Sequence, residues 1–347
     1  MVAALLKEIE IFDWTQTAAT EEEIETVYFG GGTPSLLDGE ELKEILAAIH
    51  HKFRVSPDTE VTLETNPDDI SAAALAEWKG IGINRLSIGV QSFYEEDLLW
   101  MNRAHNAQQA IDALTAALTV FPNITIDLIY GTPGLTDEKW KSNVERAVAL
   151  GIPHLSCYAL TVEPKTPLQK MIALKQTADV NPDAQSSQFL LLMDWLTDAG
   201  YEHYEISNFA KPGFRSRHNS SYWEGKTYLG FGPSAHSFDG QNRWWNVANN
   251  NKYIESISNG VLPMEKELLT AVDRLNEYIM ISLRTSAGTK FERLRSLQAD
   301  PDKEMTALIP RLKEYERHGL MNLDAEGFRL TRRGRLLADG IAADLFT

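Results

Sequence analysis

Cysteine is almost absent from this chain of 347 residues, in which Cys157 is the only one. A single thiol can form neither an internal disulfide nor a paired-cysteine metal motif, so disulfide-stapled and cysteine-rich zinc folds are excluded. Cys157 lies in the apolar run His154–Leu160, which is typical of a buried strand. We therefore interpret its thiol as part of the hydrophobic core.

Long apolar runs and positive charge are also scarce. No stretch approaches the roughly 18 apolar residues that span a bilayer, and the first residues lack the basic start of a secretory signal. The formal net charge is -16, and the one small basic cluster is Arg332, Arg333 and Arg335. Such an acidic surface repels phosphate backbones. The sequence therefore predicts a globular cytoplasmic protein with no membrane span and no nucleic-acid partner.

Short apolar runs alternate with helix-like segments through the first half of the chain, which predicts parallel strand–helix–strand units. The five predicted strands are Thr26–Phe29, Val61–Glu64, Arg85–Gly89, Ile124–Ile129 and His154–Leu160. The predicted helices between them are Glu40–Phe53, Ser71–Lys79, Ala107–Val120 and Asp137–Leu150. Asp38 and Thr136 are predicted N-caps, and Gly80 and Gly151 are predicted C-caps. Five such units form either an open sheet or an incomplete barrel.

The rhythm changes after Leu160. A helix is predicted at Ala184–Asp198, ended by Gly200, and the segment Tyr201–Trp245 is rich in aromatic residues, glycine, asparagine and histidine. Near the end, a winged-helix-like pattern is predicted from helix Met305–His318, strands Met321–Leu323 and Phe328–Thr331, and helix Arg333–Phe346. We accordingly predict three domains, over residues 1–170, 171–265 and 266–347.

Residues suited to ligand binding follow the predicted strands, where α/β proteins place their sites. Gly30–Pro34 exposes backbone groups, Glu64 could pair with an ammonium group, and Gln91 offers both a donor and an acceptor. Arg103 suits a carboxylate, and Asp127 suits a pair of ribose hydroxyls. Each also has a plain structural interpretation as a tight loop, a turn residue or a solvated charge, and single residues leave both open.

Together, these blocks resemble the branch of the radical S-adenosylmethionine (radical SAM) family that contains HemW-type haem chaperones and oxygen-independent coproporphyrinogen III oxidases. The resemblance covers nearly the whole chain, in order. The blocks that carry it are Gly30–Pro34, Glu64–Pro67, Gly82–Phe93, Arg103 with His105, Asp127–Gly134, Leu160–Pro164, Gly200–Ala210, His218–Trp223, Tyr228–Ser237 and Leu283–Gly288.

The resemblance implies two cofactor sites. For S-adenosylmethionine (SAM), it implies that backbone at Gly31, Gly32 and Thr33 holds the amino group, that Glu64 and Arg103 hold the polar ends, and that Gln91 and Asp127 hold the ribose side. For haem, the pattern His218-Asn219-x-x-Tyr222-Trp223 resembles the haem-binding motif of the chaperones, with His218 as the iron ligand. From the residues alone, we interpret His218 as a loop histidine.

The chain departs from the family at its start. Family members begin with a strand and a CxxxCxxC loop whose thiolates hold a [4Fe–4S] cluster, and these ligands are absent here. The fold implied is a partial (β/α)₆ barrel without its first βα unit, with an exposed sheet edge that could support oligomers. A shortened paralogue and a reading frame started late both explain this.

The resemblance predicts a haem chaperone that passes haem to an acceptor protein. The alternatives are the coproporphyrinogen oxidase of porphyrin biosynthesis and an inactive fragment.

Overall fold

The computed structural model describes residues 1–14 and 23–347, which divide into two compact units. The first unit contains Met1–Val27, Leu37–Glu60 and Arg217–Thr347, and the second contains Tyr28–Leu36 and Val61–Ser216. Within the described ranges, no helix combines the length and apolarity needed to cross a membrane. The three-domain division of the sequence stays a prediction.

The fold is α/β, and its main sheet forms a partial barrel, as the sequence predicted. Seven strands lie in the order β1-β2-β3-β4-β5-β7-β6. Strands β2 to β5 pair in parallel, whereas β7 pairs antiparallel with both β5 and β6. The strands are β1 (Ile24–Phe29), β2 (Val55–Thr65), β3 (Arg85–Gln91), β4 (Ile124–Tyr130), β5 (His154–Ala159), β6 (Glu202–Glu205) and β7 (Asn208–Ala210).

Eight helices, α1 to α8, precede β6 among the described residues, and the predicted N-caps are confirmed. Asp38 accepts from the Glu41 N–H in a capping box, and the Thr136 hydroxyl accepts from the Lys139 N–H. Gly151 follows its helix with φ +76°, but the C-cap at Gly80 was wrong, because Gly82 is the left-handed residue with φ +107°. These helices are α1 (Val2–Ile11), α2 (Gly39–Lys52), α3 (Ala72–Ile81), α4 (Glu95–Trp100), α5 (Ala107–Val120), α6 (Asp137–Ala149), α7 (Pro167–Ala173) and α8 (Pro182–Asp198).

One face of the middle strands is fully buried, whereas on the other face residues such as Ser87 and Asp127 are only half-buried. Helix residues Leu114 and Trp140 are fully buried, as is Leu192 on α8. The strand side chains that share this core are Leu86, Ile88, Ile126, Leu128 and Leu155. This packing holds the strand ends, and hence the residues that follow them, in fixed positions.

The first unit also carries two small antiparallel sheets, of orders β10-β9-β8 and β11-β13-β12. Their strands are β8 (His236–Phe238), β9 (Asn242–Asn246), β10 (Met264–Leu268), β11 (Thr289–Lys290), β12 (Met321–Leu323) and β13 (Gly327–Leu330). The helices are α9 (Arg217–Trp223), α10 (Asn250–Ser258), α11 (Ala271–Leu283), α12 (Phe291–Leu297), α13 (Pro301–Arg317), α14 (Arg332–Arg335) and α15 (Ala338–Leu345).

The C-terminal hairpin and the preceding helix lie close to their predicted bounds, but the single final helix Arg333–Phe346 was wrong. The chain forms α14 and α15 instead, and Leu337 between them has a non-helical backbone. Gly334 lies within α14, so close to the Leu320 carbonyl that an added Cβ would collide with it.

Candidate functional site

The glycine loop after β1 is bonded to the end of β2 within the second unit. Gly31 and Gly32 have φ values of +76° and +70°, in the left-handed region that favours glycine. The Gly31 N–H donates to Glu64 Oε2 at 3.1 Å, and the Tyr28 hydroxyl donates to Glu64 Oε1 at 2.7 Å. A Cβ on Gly30 would lie 2.6 Å from the Tyr28 ring. The loop therefore closes over Glu64, whose two oxygens both accept hydrogen bonds.

A second group of polar side chains converges above Gly89 on β3. The position of a Cβ there would lie 3.0 Å from Gln91 Nε2, 3.3 Å from Arg103 Nη2 and 3.4 Å from Asn66 Oδ1. Arg103 Nη2 donates to Asn66 Oδ1 at 2.6 Å and to the Gly89 carbonyl at 3.3 Å. The Arg103 Nε–H is buried and has no acceptor among the described residues. This arginine therefore retains a donor suited to an anionic group.

Asp127 lies in the middle of β4, among apolar neighbours. Burial raises the pKa of its carboxyl to about 7, with a further rise from the charge of Glu64. A hydrogen bond with Ser156 and the charges of Arg85 and Arg103 act in the opposite direction. Near neutral pH this group consequently exists as a mixture of carboxyl and carboxylate.

The second unit thus brings together most of the residues predicted to bind SAM. Glu64 joins Gly31 by a hydrogen bond, Gln91 meets Arg103 above β3, and Asp127 lies within electrostatic reach of Glu64 and Arg103. Gly32 and Thr33 belong to the same loop, where the Thr33 carbonyl accepts the Leu36 N–H of a short 3₁₀ turn at 3.1 Å.

The predicted haem motif forms α9, a short helix in the first unit. The backbone N–H groups of Arg217 and His218 donate to the two carboxylate oxygens of Glu60, at 3.1 and 3.0 Å. Nδ1 of His218 lies 2.8 Å from Oγ1 of Thr26. The start of α9 is therefore anchored by Glu60 on β2, and the histidine ring is oriented by Thr26 on β1.

The rest of the motif is aromatic and lies beside His218. Tyr222 meets the His218 ring edge-on at 5.1 Å and keeps 41% of its surface exposed. Trp223 stacks under the guanidinium of Arg284, whose carbon lies 5.3 Å from the centre of the ring. Asn219 is half-buried next to His218. An imidazole and an exposed phenol thus share one side of the helix.

The other candidate histidines lie in different surroundings. His203 stacks on Phe209 at 4.1 Å, and a ring nitrogen lies 3.0 Å from the Ile206 carbonyl, which indicates a packing role. His236 is exposed on β8 and stacks on Trp245 at 5.8 Å, so it is the strongest competitor of His218. Two more are exposed in the last turn of α2, His50 and His51.

Comparison with known proteins identifies the family. Residues 3–147 match the Radical SAM superfamily, and residues 269–337 match the HemN C-terminal domain. A protein of Mycobacterium tuberculosis (strain CDC 1551 / Oshkosh), "Heme chaperone HemW", is 35% identical over 344 residues, which cover 99% of this chain and 85% of that protein. The chain belongs to the HemW family.

Further relatives have similar identities, and one solved structure shows the fold. "Heme chaperone HemW" of Bacillus subtilis is 33% identical, over 92% of this chain and 85% of that protein. The mouse protein "Radical S-adenosyl methionine domain-containing protein 1, mitochondrial" is 31% identical, over 93% of this chain and 76% of that protein. The structure of coproporphyrinogen III oxidase (HemN) of Escherichia coli superimposes with a TM-score of 0.82 at 24% identity. The match covers 99% of this chain and 82% of that protein, and it shows the same fold.

The residues of this HemW-family chain do not fit a [4Fe–4S] cluster. Such clusters are held by several cysteine thiolates, and the sequence contains one cysteine. Cys157 is buried in β5, and burial raises its thiol pKa above the usual range. In the part of the chain that the structure describes, no group of three or more histidine, cysteine, aspartate or glutamate residues is arranged to hold a metal ion.

Four contacts of these sites were missed by sequence reasoning. Tyr28 bonds to Glu64, Asn66 bonds to Arg103, and Thr26 and Glu60 both bond to His218. Asn66 lies within the block Glu64–Pro67, so its position gave a signal. The other three lie inside strands, where nothing local distinguishes a polar residue that contacts a site.

Proposed function

We propose that this HemW-family chain is a haem chaperone, which binds haem at the motif His218–Trp223 and passes it to an acceptor protein. The observation that carries the proposal is the pairing of His218 with Thr26 at 2.8 Å. Histidines that ligate metals usually engage a partner through their other ring nitrogen, which fixes the ring. With Nδ1 held by Thr26, Nε2 is the nitrogen that would ligate the haem iron.

The surroundings of His218 also suit a porphyrin. The exposed ring of Tyr222 offers an aromatic surface beside the imidazole, and aromatic contacts favour a flat, apolar macrocycle. Glu60 holds the backbone at the start of α9, so the histidine need not be ordered when haem binds. Haem, an iron porphyrin, would be the cargo of the chaperone.

We further propose that SAM binds at the strand ends of the second unit. Glu64 supplies the negative charge for the ammonium group, and the Nε–H of Arg103, which has no acceptor among the residues described, supplies a donor for the carboxylate. Gln91 and Asp127 supply hydrogen-bonding groups for the ribose. Because no cluster ligands are present, we derive no radical step for this chain.

A haem titration followed at the Soret band tests the chaperone proposal. We expect the parent to bind haem, His218→Ala to bind it at least about tenfold more weakly, and His236→Ala to match the parent. Equal haem affinities of His218→Ala and the parent would show that another residue ligates the iron. Absence of binding by the parent would refute the proposal and favour an inactive fragment.

The coproporphyrinogen oxidase alternative is less well supported, because its radical chemistry depends on thiolate ligands that this chain lacks. The acceptor protein is the partner that the proposal requires. The cytoplasmic location and the lack of a nucleic-acid partner stay predictions from the sequence.

A further inference from the structure

Two neighbouring side chains of the first unit carry buried donors without acceptors. The indole Nε1–H of Trp223 and the Nε–H of Arg284 are both buried, and neither has a hydrogen-bond partner in the described ranges. The guanidinium carbon of Arg284 lies 5.3 Å from the centre of the Trp223 ring, so the two groups stack. An unsatisfied buried donor costs about 1–3 kcal/mol and is rare in native proteins. Two donors on stacked neighbours indicate a place for an acceptor.

Arg284 has only a weak competing partner. Its Nη1 donates to Asp339 at 2.6 Å, but the Asp339 side chain is 82% exposed, whereas that of Arg284 is 24% exposed. Exposed ion pairs contribute little to stability. The stacking on Trp223 therefore holds the guanidinium in place, and a carboxylate from a ligand could replace Asp339 at modest cost.

The position of the pair relates it to the proposed haem motif. Trp223 lies five residues after His218 on α9, about 7.5 Å along a helix axis. That rise is comparable to the separation between the centre of a porphyrin and its carboxyl groups. Met280, one turn before Arg284 at the end of α11, is 40% exposed. An exposed apolar side chain thus lies one turn from the cation, which matches a ligand with an apolar ring and acidic side chains.

We propose that Arg284, stacked on Trp223, binds a propionate carboxylate of the porphyrin whose iron His218 holds. The inference rests on the proposed haem-binding function and extends it to the recognition of the porphyrin side chains. Arginine suits this role because its planar guanidinium forms paired hydrogen bonds with a carboxylate. Trp223 holds that guanidinium in position by stacking, and its indole N–H adds a second donor.

Titrations of the full chain with haem and with haem dimethyl ester, in which both carboxylates are blocked, test the proposal. We expect the parent to bind haem about tenfold more tightly than the ester, which corresponds to one charge-assisted hydrogen bond. Arg284→Gln should weaken haem binding about tenfold and leave ester binding unchanged. Equal affinities of the parent for haem and its ester would overturn the inference but not the haem site. No binding of either ligand by the parent would instead refute the proposed function.

Two further variants guard against a folding defect. Asp339→Asn changes an exposed residue and removes only the competing carboxylate, so we expect haem affinity equal to or higher than that of the parent, with ester affinity unchanged. Trp223→Phe keeps an aromatic ring and removes the N–H, so it should weaken haem binding more than it weakens binding of the ester. If Asp339→Asn weakened haem binding, or if Arg284→Gln weakened haem and ester equally, the assignment of Arg284 to a propionate would be wrong.

Discussion

Thr26 and His218 are 192 positions apart in the sequence, yet the Thr26 hydroxyl oxygen lies 2.8 Å from Nδ1 of His218. This contact fixes the orientation of the imidazole and determines which ring nitrogen can face an iron. A strand of the main sheet therefore completes a motif whose sequence pattern contains only neighbouring residues. The contact provides the first of five testable predictions.

Replacing Thr26 by valine should weaken haem binding about tenfold, because removing a group that hydrogen-bonds to a metal-bound histidine typically lowers metal affinity by that much or more. Valine has nearly the shape of threonine but cannot hydrogen-bond to Nδ1. The measurement is a Soret titration of the ferric complex. Thr26→Ser keeps the hydroxyl and should bind haem like the parent. Unchanged haem affinity in Thr26→Val would show that Thr26 does not contribute to haem binding.

The sequence was sufficient to predict the barrel strands because their apolar residues, such as Leu86, Ile88 and Leu128, are fully buried. Its resemblance to the family also singled out the motif His218–Trp223, but it did not predict that this segment forms the helix α9. It did not reveal that Glu60 and Thr26 hold this helix, or that Arg284 stacks on Trp223. These contacts join distant segments, and no periodicity of a single sequence encodes them.

The same reason explains the errors at helix ends. The C-cap at Gly80 was wrong because two glycines lie two residues apart, and only the backbone shows which one is left-handed. The last helix is divided at Leu337, where the backbone leaves the helical region, and only the backbone shows this division. Local propensity predicts the existence of an element better than its bounds.

Glu64→Gln should lower the affinity for SAM about tenfold by removing the negative charge that faces the ammonium group. The amide can still accept from the Gly31 N–H and can donate to the Tyr28 oxygen, so the loop should keep its shape. Calorimetry with SAM and with methylthioadenosine, which lacks the amino-acid part, is the measurement. The affinity for methylthioadenosine should not change. An equal loss for both ligands would indicate a damaged loop rather than a lost charge.

The purified chain should hold no [4Fe–4S] cluster after anaerobic reconstitution with iron and sulfide. Cys157 is the single cysteine, and its thiol is buried and resists ionisation. Iron and sulfide analysis with visible absorption is the measurement, and Cys157→Ser is the matched control. A stoichiometric cluster in the parent would contradict the prediction, and its loss in the control would identify Cys157 as a ligand.

The edge of the main sheet at β1 should promote self-association. The strand order ends at β1, so within the described ranges its outer edge pairs with no other strand. Unpaired edges can pair with another chain. Sedimentation velocity over a range of concentrations should show oligomers that increase with salt, because salt screens the repulsion between chains of net charge -16. A thermally stable monomer at every concentration would argue against an open edge.

Asp127→Asn should stabilise the fold increasingly as the pH rises from 3.8 to about 7, and it should have little effect below pH 3.8. Burial raises the folded pKa of Asp127 from 3.8 to about 7, so the folded state favours the protonated form. The stability that this group contributes is complete below pH 3.8 and is lost as the pH rises through 7. Asparagine remains neutral and can keep a hydrogen bond to Ser156. The stability difference between variant and parent should therefore grow by about 2.6 kcal/mol between pH 5 and pH 8.

Urea unfolding at several pH values between 5 and 8 measures this difference directly. Burial also lowers the pKa of His154. Because the unfolded state then binds this proton more readily than the folded state, stability falls as the pH drops below 6.5. That effect is common to both chains, so it cancels in the difference and leaves the contribution of Asp127. Asp112→Asn, an exposed aspartate on α5, controls for the substitution itself. If the curves of Asp127→Asn and the parent ran parallel across this range, Asp127 would be ionised in the folded state throughout, and burial would not be perturbing its carboxyl.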